Sequence, residues 1–386
     1  MKIIVYCQHV LGVGHFFRTL EIIKALKKHD IVLVTGGDTL PGDLPGHVRQ
    51  VNLPGLMMDE GFSGLYSVDP ERTVKTVKQE RQQILEGLFL KERPDLFLVE
   101  LYPFGRKAFR FELDPVLLMI RQRKMFKCCV VCSLRDILVE KKDSATYERR
   151  VVNALNLYFD AVLIHSDPEL ITLDSSFSKI GEIKVPIFYT GFVTPLPDAA
   201  TVAGVKTDLG ILPDESLVVV SAGGGTVGAP LLQAAILAHS LLLNRDRVRM
   251  VVLTGPYMDR ERVNSIQSLA GRGVLVKTFC KDFISLVAAA DLSISMAGYN
   301  TCMNLVGAGV PSLVWPFARN REQRTRAEVL ADFADIKVLE DQDLVPETLA
   351  LIIQERLAVC SKKNIPRLDL GGARAVARWV EELEKE

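Results

Sequence analysis

Neither sign of charge is in excess. The chain carries 47 Lys and Arg against 47 Asp and Glu, a formal net charge of zero. That removes any global electrostatic argument for nucleic acid as a partner, although a local basic patch is compatible with it. No apolar run approaches the roughly 18–20 residues needed to cross a bilayer. The opening MKIIVYCQHVLG has no charged n-region and no small-residue cleavage site, so it reads as a short buried strand and not as a signal peptide. The seven cysteines are an odd number, and Cys128, Cys129 and Cys132 lie beside or within an apolar run. Reduced core thiols in a cytoplasmic protein are expected. No second paired motif completes a metal-binding set, and alternate strand positions point to opposite faces.

At 386 residues the chain is too long for one ordinary core and sufficient for two. The first half alternates strand-like runs (KIIVYCQ, DIVLVTGG, HVRQVNLP, PDLFLVE, KCCVVCSL, DAVLIHS) with helical patterns. One long helical run ends at Pro94, a helix stop. This alternation predicts an α/β fold with a mostly parallel sheet covered on both faces. Pro195, Pro197 and the small residues after them read as a linker. The second half then restarts with SLVVVSAGGG, VRMVVLTGP, GVLVKTFC, DLSISMAG, PSLVWPF and DIKVLED. The expected division is an N-terminal domain over 1–192, a linker over 193–206 and a C-terminal domain over 207–371. The amphipathic helix 372–386 is expected to pack back across the junction.

Two glycine-rich turns, each between a strand and a helix, stand about half a chain apart. The first holds Gly12, Gly14 and His15; the second holds Gly223, Gly224, Gly225, Thr226 and Gly228. A helix start preceded by glycines exposes unpaired backbone N–H groups at the positive end of a dipole, which suits a phosphate. Neither turn has the Lys-Ser/Thr of a P-loop or the full dinucleotide fingerprint with its acidic partner, which disfavours an ATPase and a dehydrogenase. A phosphate-cradling loop is the natural reading of the second turn, and tight strand–helix packing is its alternative. A third motif, Gly298-Tyr299-Asn300-Thr301, opens a helix after a strand, and Glu322 and Gln323 start another. A carboxylate there can accept two sugar hydroxyls, and an amide can both donate and accept.

These pieces occur in one order: Gly-rich turn, TGP, VLVKTF, D-x-S-I-S-x-A-G-Y-N-T, G-V-P, R-E-Q-x-x-R-A. That order resembles the donor-binding half of the family 28 glycosyltransferases, which include the peptidoglycan N-acetylglucosaminyltransferase and the galactolipid synthases. The pieces AGYNT, NREQRTRA, GVGHFFRTLEI, ELYPFGRKAFRFEL, HSDPELI and YTGFV are most similar to a branch labelled "predicted glycosyl transferase". The resemblance implies a GT-B architecture, two Rossmann-like doubly wound domains facing across a cleft. It also implies sugar transfer from a nucleotide diphosphate sugar, a uridine one by expectation, with inversion at the anomeric carbon. By the same resemblance, Gly224, Gly225 and Thr226 would contact the diphosphate, and Phe279 would offer backbone groups to the base edge. Gly298, Asn300 and Thr301 would line the phosphate and sugar pocket. Glu322 would bind the ribose, and Gln323 the sugar or the ribose. His15 with Gly14 would reach the diphosphate or acceptor from the other side.

Such enzymes stabilise the leaving diphosphate with helix dipoles, backbone N–H groups and basic side chains. No D-x-D element sits in strand context, which fits a reaction without metal or other cofactor. Arg319, Arg321 and Arg326 are candidates for the cationic role. The acceptor hydroxyl needs a base, for which His15, Glu100 and Asp136 compete; Glu100 falls at the C-terminal edge of a strand, where α/β ligands gather. Arg106 and Arg110 follow Glu100 closely and are candidate acceptor contacts. The basic–aromatic stretch around them admits two readings. It is a helix packed on the sheet with its basic residues outward, or it binds an anionic inner membrane face or phosphorylated lipid acceptor. A small-molecule hydroxyl is an equally allowed acceptor. Two other functions share the architecture: a non-hydrolysing UDP-sugar epimerase, and a non-catalytic nucleotide-sugar-binding subunit of a membrane-associated complex.

Overall fold

Strand runs rich in Val, Ile and Leu, without polar alternation, belong in a sheet buried on both faces. The computed structural model describes residues 1–8, 14–36, 44–58, 64–122, 126–139, 143–244, 247–318, 321–359 and 368–385. It divides into two compact units, Met1–Val193 with Asp369–Glu386, and Thr194–Leu368.

Among the described residues the first unit contains nine strands: β1 Lys2–Tyr6, β2 Asp30–Gly36, β3 Val48–Leu53, β4 Leu56–Met58, β5 Leu65–Ser67, β6 Leu96–Glu100, β7 Cys129–Arg135, β8 Ala161–His165 and β9 Ile187–Tyr189. Its helices are α1 Gly14–Ala25, α2 Val74–Glu92, α3 Arg110–Arg121 and α4 Ser144–Tyr158. Seven strands form one parallel sheet in the order β3-β2-β1-β6-β7-β8-β9, and β4 and β5 make a small antiparallel pair. Successive residues of β1 feed opposite cores. Ile3 and Val5 join Phe16, Leu20 and Ile23 of α1, while Ile4 and Tyr6 join Val77, Leu85 and Phe89 of α2. The helix expected to stop at Pro94 ends at Glu92, with Arg93 in the left-handed cap conformation. Helix α3 buries Leu113, Val116, Leu117 and Ile120 and leaves Arg110 exposed, the packed-helix reading of that stretch.

In the second unit the order is α5 Ala199–Asp208, β10 Ser216–Ser221, α6 Ala229–Leu241, β11 Val248–Leu253, α7 Arg260–Leu269, β12 Val274–Lys277, α8 Phe283–Ala289, β13 Leu292–Met296, α9 Tyr299–Ala308, β14 Ser312–Trp315, α10 Arg321–Ala331, β15 Ile336–Val338 and α11 Pro346–Ala358. Its six parallel strands follow the order β12-β11-β10-β13-β14-β15. Part of the expected linker is corrected here: residues 199–208 are the helix α5, started by Asp198, whose Oδ2 accepts from Thr201 N at 2.9 Å. This helix buries no residue of its own, so its composition resembles a linker. The last helix, α12 Gly372–Leu383, returns to the first unit and places Val376 and Val380 in the core shared with α1.

Both sheets reverse direction of winding once, between β1 and β6 and between β10 and β13. Ligands of open α/β sheets bind beyond the carboxyl ends of strands at such a switch point. Among the described residues no helix is long and apolar enough to cross a membrane. Cys128 and Cys132 lie in one core of the first unit and Cys129 against the other, so the three thiols do not converge.

Candidate functional site

The switch point of the second unit gathers the glycine motifs. Strand β10 delivers Ala222–Gly228 and β13 delivers Ala297 and Gly298. A Cβ built on Gly223 would stand 3.8 Å from Thr301 Oγ1, and one on Gly298 would stand 3.9 Å from the same hydroxyl. Gly223, Gly298 and Thr301 are therefore neighbours, although 78 positions separate the first from the last in the chain (301 less 223). The helices at this point start differently from three others of the unit, although α11 too begins without a side-chain cap. Helices α5, α7 and α8 are capped by the side chains of Asp198, Asp259 and Asp282. Helices α6 and α9 begin at Gly228 and Gly298 with no side-chain cap. Two uncapped helix starts side by side leave several backbone N–H groups and two dipole ends for an anion.

The glycines of this loop do different work. Gly225 has φ +96°, and a Cβ there would lie 2.5 Å from Thr254 O and 2.9 Å from Met258 N. Gly228 is equally closed, its Cβ falling on Ala222. Close packing against the TGP loop thus accounts for Gly225, while Gly224 faces open space, with Tyr257 Cδ2 the nearest atom at 3.9 Å. Thr226, half-buried, follows in the same loop. Phe279, half-buried, lies just past β12, where Thr278 O accepts from Gly255 N at 2.9 Å and ties the two loops together.

At the start of α10 the expected roles need adjustment. Gln323 spends its Oε1 on Phe317 N at 3.0 Å, fixing the turn after β14, so that oxygen does not read a sugar. Arg326 is fully buried, stacks under Tyr299 at 5.6 Å and donates to Ala297 O at 3.3 Å. It supports the first turn of α9 from beneath, and burial keeps it from meeting a leaving diphosphate directly. Glu322 is 9% exposed on the same helix, Arg321 is exposed, and Asn300 is half-buried on α9. Arg319 and Gly12 lie outside the described residues.

The switch point of the first unit holds the acid–base candidates. Strand β6 ends at Glu100 and α1 begins at Gly14 and His15, 85 positions earlier in the chain than Glu100 in the case of His15. His15 Nδ1 stands 2.6 Å from Glu100 Oε1. Arg18, one helical turn along, donates from Nη2 to the same oxygen at 2.6 Å and lies 3.2 Å from His15 Nδ1. Nδ1 cannot both donate and accept. The short contact to an ionised carboxylate assigns its proton to the His15–Glu100 bond, which leaves Nε2 as the acceptor nitrogen. His15 and Glu100 are therefore one hydrogen-bonded pair and not rivals.

Glu100 is 1% exposed. Burial opposes its charge, but His15, Arg18 and Arg106 together hold its carboxyl down to about 2. Its second oxygen, Oε2, is buried without a hydrogen bond among the described residues. The His15 side chain keeps 21% exposure, so it is the member of the pair that a substrate can touch. Asp136 is fully buried just past β7, which removes it as a base that meets an acceptor. Arg106 is half-buried with φ 57°, close enough to Glu100 and His15 to affect both. Arg110 is elsewhere: it pairs with Asp114 at 2.9 Å and lines a groove of about 400 Å³ between α3 and α4 with Arg149, Arg150 and Leu157.

Sequence reasoning missed two buried arginines. Arg18 is a polar residue on the apolar face of α1, a signal available in the helical pattern. Arg81, 0% exposed on α2, donates to Glu112, to Gln8 Oε1 at 2.7 Å and to Pro54 O at 2.8 Å, tying together segments that follow β1 and β3. Among the described residues no group of three or more His, Cys, Asp or Glu side chains is placed to hold a metal ion.

Residues 218–364 match the family model described as the glycosyltransferase family 28 C-terminal domain. That stretch falls within the second unit. Over 172 residues the chain is 27% identical to a UDP-N-acetylglucosamine–N-acetylmuramyl-(pentapeptide) pyrophosphoryl-undecaprenol N-acetylglucosamine transferase of Rhizobium rhizogenes, covering 44% of this chain and 46% of that protein. The chain thus spans about half the length of such a relative. Two solved structures share the fold over nearly the whole chain. The calicheamicin glycosyltransferase CalG4 covers 99% of this chain and 97% of its own, with TM-score 0.60 and 16% identity. The UDP-GlcNAc 2-epimerase of Methanocaldococcus jannaschii covers 100% of both, with TM-score 0.61 and 14% identity. The chain has the GT-B fold of these proteins, and the stretch similar to the family 28 C-terminal domain lies in its second unit.

Proposed function

We propose that the chain is a glycosyltransferase that moves a sugar from a nucleoside diphosphate sugar, a UDP-sugar by preference, to an acceptor hydroxyl. The observation that carries this reading is the pair of uncapped helix starts at Gly228 and Gly298, inside a family 28 domain. The diphosphate would sit against the backbone of Gly223 and Gly224, the Thr226 region and the Thr301 hydroxyl. Charge on the leaving diphosphate would be met by N–H groups, two helix dipoles and Arg321. Glu322 would take the ribose hydroxyls, with Asn300 lining the sugar pocket and Phe279 beside the base.

His15 Nε2 would remove the acceptor's proton as the anomeric carbon is attacked, with Glu100 holding the ring in the Nδ1–H tautomer. Attack by the acceptor itself, with no enzyme-bound sugar, inverts the anomeric centre. Arg106 would orient the acceptor. The face carrying Arg110, Arg149 and Arg150 would meet an anionic lipid surface, which a lipid-linked acceptor requires.

Calorimetry with UDP, GDP, dTDP, ADP and NAD, with and without EDTA, tests the donor side. Selective binding of one nucleoside diphosphate, unchanged by EDTA, is expected; no binding of any of them refutes the donor site. The shared fold with the epimerase supports a second reading. Incubation with UDP-N-acetylglucosamine alone separates the two: release of the 2-epimer favours the epimerase, and donor consumption only with an added acceptor favours transfer.

A further inference from the structure

Two groups meet on one carboxylate oxygen in the first unit. Arg18 is 3% exposed on α1, and its Nη2 reaches Glu100 Oε1 at 2.6 Å. His15 Nδ1 reaches the same oxygen at 2.6 Å. A histidine–carboxylate pair by itself draws a proton onto the imidazole, because the anion stabilises the imidazolium. Here the anion already has a full cationic partner.

We propose that Arg18 is a positioning residue that neutralises the Glu100 carboxylate and so keeps the His15 ring an uncharged base, with Glu100 left to orient it. The inference rests on the acid–base reading of His15 given above. Protonation would bring a third positive charge to the surroundings of one carboxylate, with Arg18 on α1 in contact with it and Arg106 in the loop after β6 nearby. The remaining groups around Glu100 add no charge near neutrality. Burial and the nearby Glu100 push the Cys7 thiol up to about 12, and burial pushes Cys132 up as well. Burial and then Arg18 lower His165 in β8 to about 3, so it is neutral. For His15 itself, burial together with Arg106 and Arg18 outweighs the pull of Glu100 and lowers the ring to about 4.

The consequence is a base that stays deprotonated in mildly acidic solution and gives up an acquired proton quickly. A bare His–carboxylate pair would be charged under the same conditions. Polar contacts fix the geometry from both sides: Glu100 sets the tautomer, and Arg18 sets the charge that Glu100 presents.

The test is an NMR titration of the His15 ring in the full chain. The wild-type ring is expected to stay neutral, with the proton on Nδ1, down to about pH 5, well under the ordinary histidine value near 6.5. In R18M the titration point rises by about 1 pH unit, and the acid limb of turnover moves with it. R18K, which keeps a positive charge, restores most of the wild-type behaviour. A wild-type ring that titrates at 6.5 or above overturns the proposal without any variant having to fold. So does a folded R18M whose ring titrates as in the wild type. A protein that transfers no sugar but whose His15 titrates low and follows Arg18 keeps this inference and refutes the transferase reading. An active transferase whose His15 titrates at 6.5 does the reverse.

Discussion

Gly224 and Gly225 are adjacent, yet substitution by alanine should fail in opposite ways. At Gly225 the backbone has φ +96°, and the new methyl would press on Thr254 O at 2.5 Å and Met258 N at 2.9 Å, both main-chain atoms that cannot swing aside. The left-handed backbone costs an L-residue about 1–2 kcal/mol and the overpacking about 1–3 kcal/mol. Together these amount to about 2–5 kcal/mol, a fall in melting temperature of roughly 4–20 °C for a domain of this size. At Gly224 the nearest atom to a new methyl is Tyr257 Cδ2 at 3.9 Å, so G224A should melt within about a degree or two of the wild type. Its methyl would instead stand where a diphosphate approaches the backbone. Losing one charge-assisted hydrogen bond there costs about 1.5–3 kcal/mol, or roughly 10- to 100-fold in nucleotide affinity. Differential scanning calorimetry and isothermal titration with UDP read the two quantities separately. G225A melting with the wild type would refute the packing argument. G224A binding UDP as tightly as the wild type would refute the phosphate-loop assignment.

H15Q should lower turnover by about 10²–10⁴-fold with little change in donor affinity; steady-state kinetics with unchanged turnover would remove His15 as the base. E322A should weaken nucleotide binding by about 1–3 kcal/mol if the ribose hydroxyls lose their acceptor, and an unchanged affinity for UDP argues against that role. R81M leaves the buried Glu112 with the Tyr6 hydroxyl but without its cation and should cost about 3–5 kcal/mol in urea unfolding; a variant as stable as the wild type would refute the buried ion pair as a tie between segments. Acid should destabilise the first unit in a defined window. His15 and His165 are lowered to about 4 and about 3 from an ordinary 6.5, so the unfolded chain takes up protons first. Their contribution is complete above about 6.5 and is lost as pH falls toward those values, on the order of 1.4 kcal/mol per pH unit for each group. Glu100, lowered from 4.5 to about 2, adds a loss only below its ordinary value. Equal urea midpoints at pH 7 and pH 5 would contradict this.

Several features of the site were legible in the sequence because they are local. The glycine turns show where a strand hands over to a helix, and the end of PDLFLVE places Glu100 at a strand's carboxyl edge. The composition around residues 199–208 misleads, because α5 buries no side chain and so lacks an apolar stripe to mark it. Arg326 and Gln323 fall within a charged run whose pattern resembles a solvated helix face, yet one is fully buried and the other closes a turn. A charge's surroundings are set by neighbours distant in sequence, and no local pattern records them.

The sequence by itself determined the class of fold. Runs of β-branched and aliphatic residues can be satisfied only in a sheet covered on both faces, and the alternation with helices makes that sheet parallel. It also determined that two strand-to-helix turns would be built from glycine. Tertiary structure decided which glycines the second turn needs for packing and which leave room, because that depends on the loop at Thr254–Met258 lying against it. It also decided that His15, Arg18 and Glu100 share one carboxylate oxygen. Parallel strands must return by a crossover, so β1 and β6, whose partners Ile3 and Leu96 lie 93 positions apart (96 less 3), become neighbours only after the chain between them has folded. The chemistry of the base comes from that adjacency, since an isolated histidine carries neither a fixed tautomer nor a fixed charge.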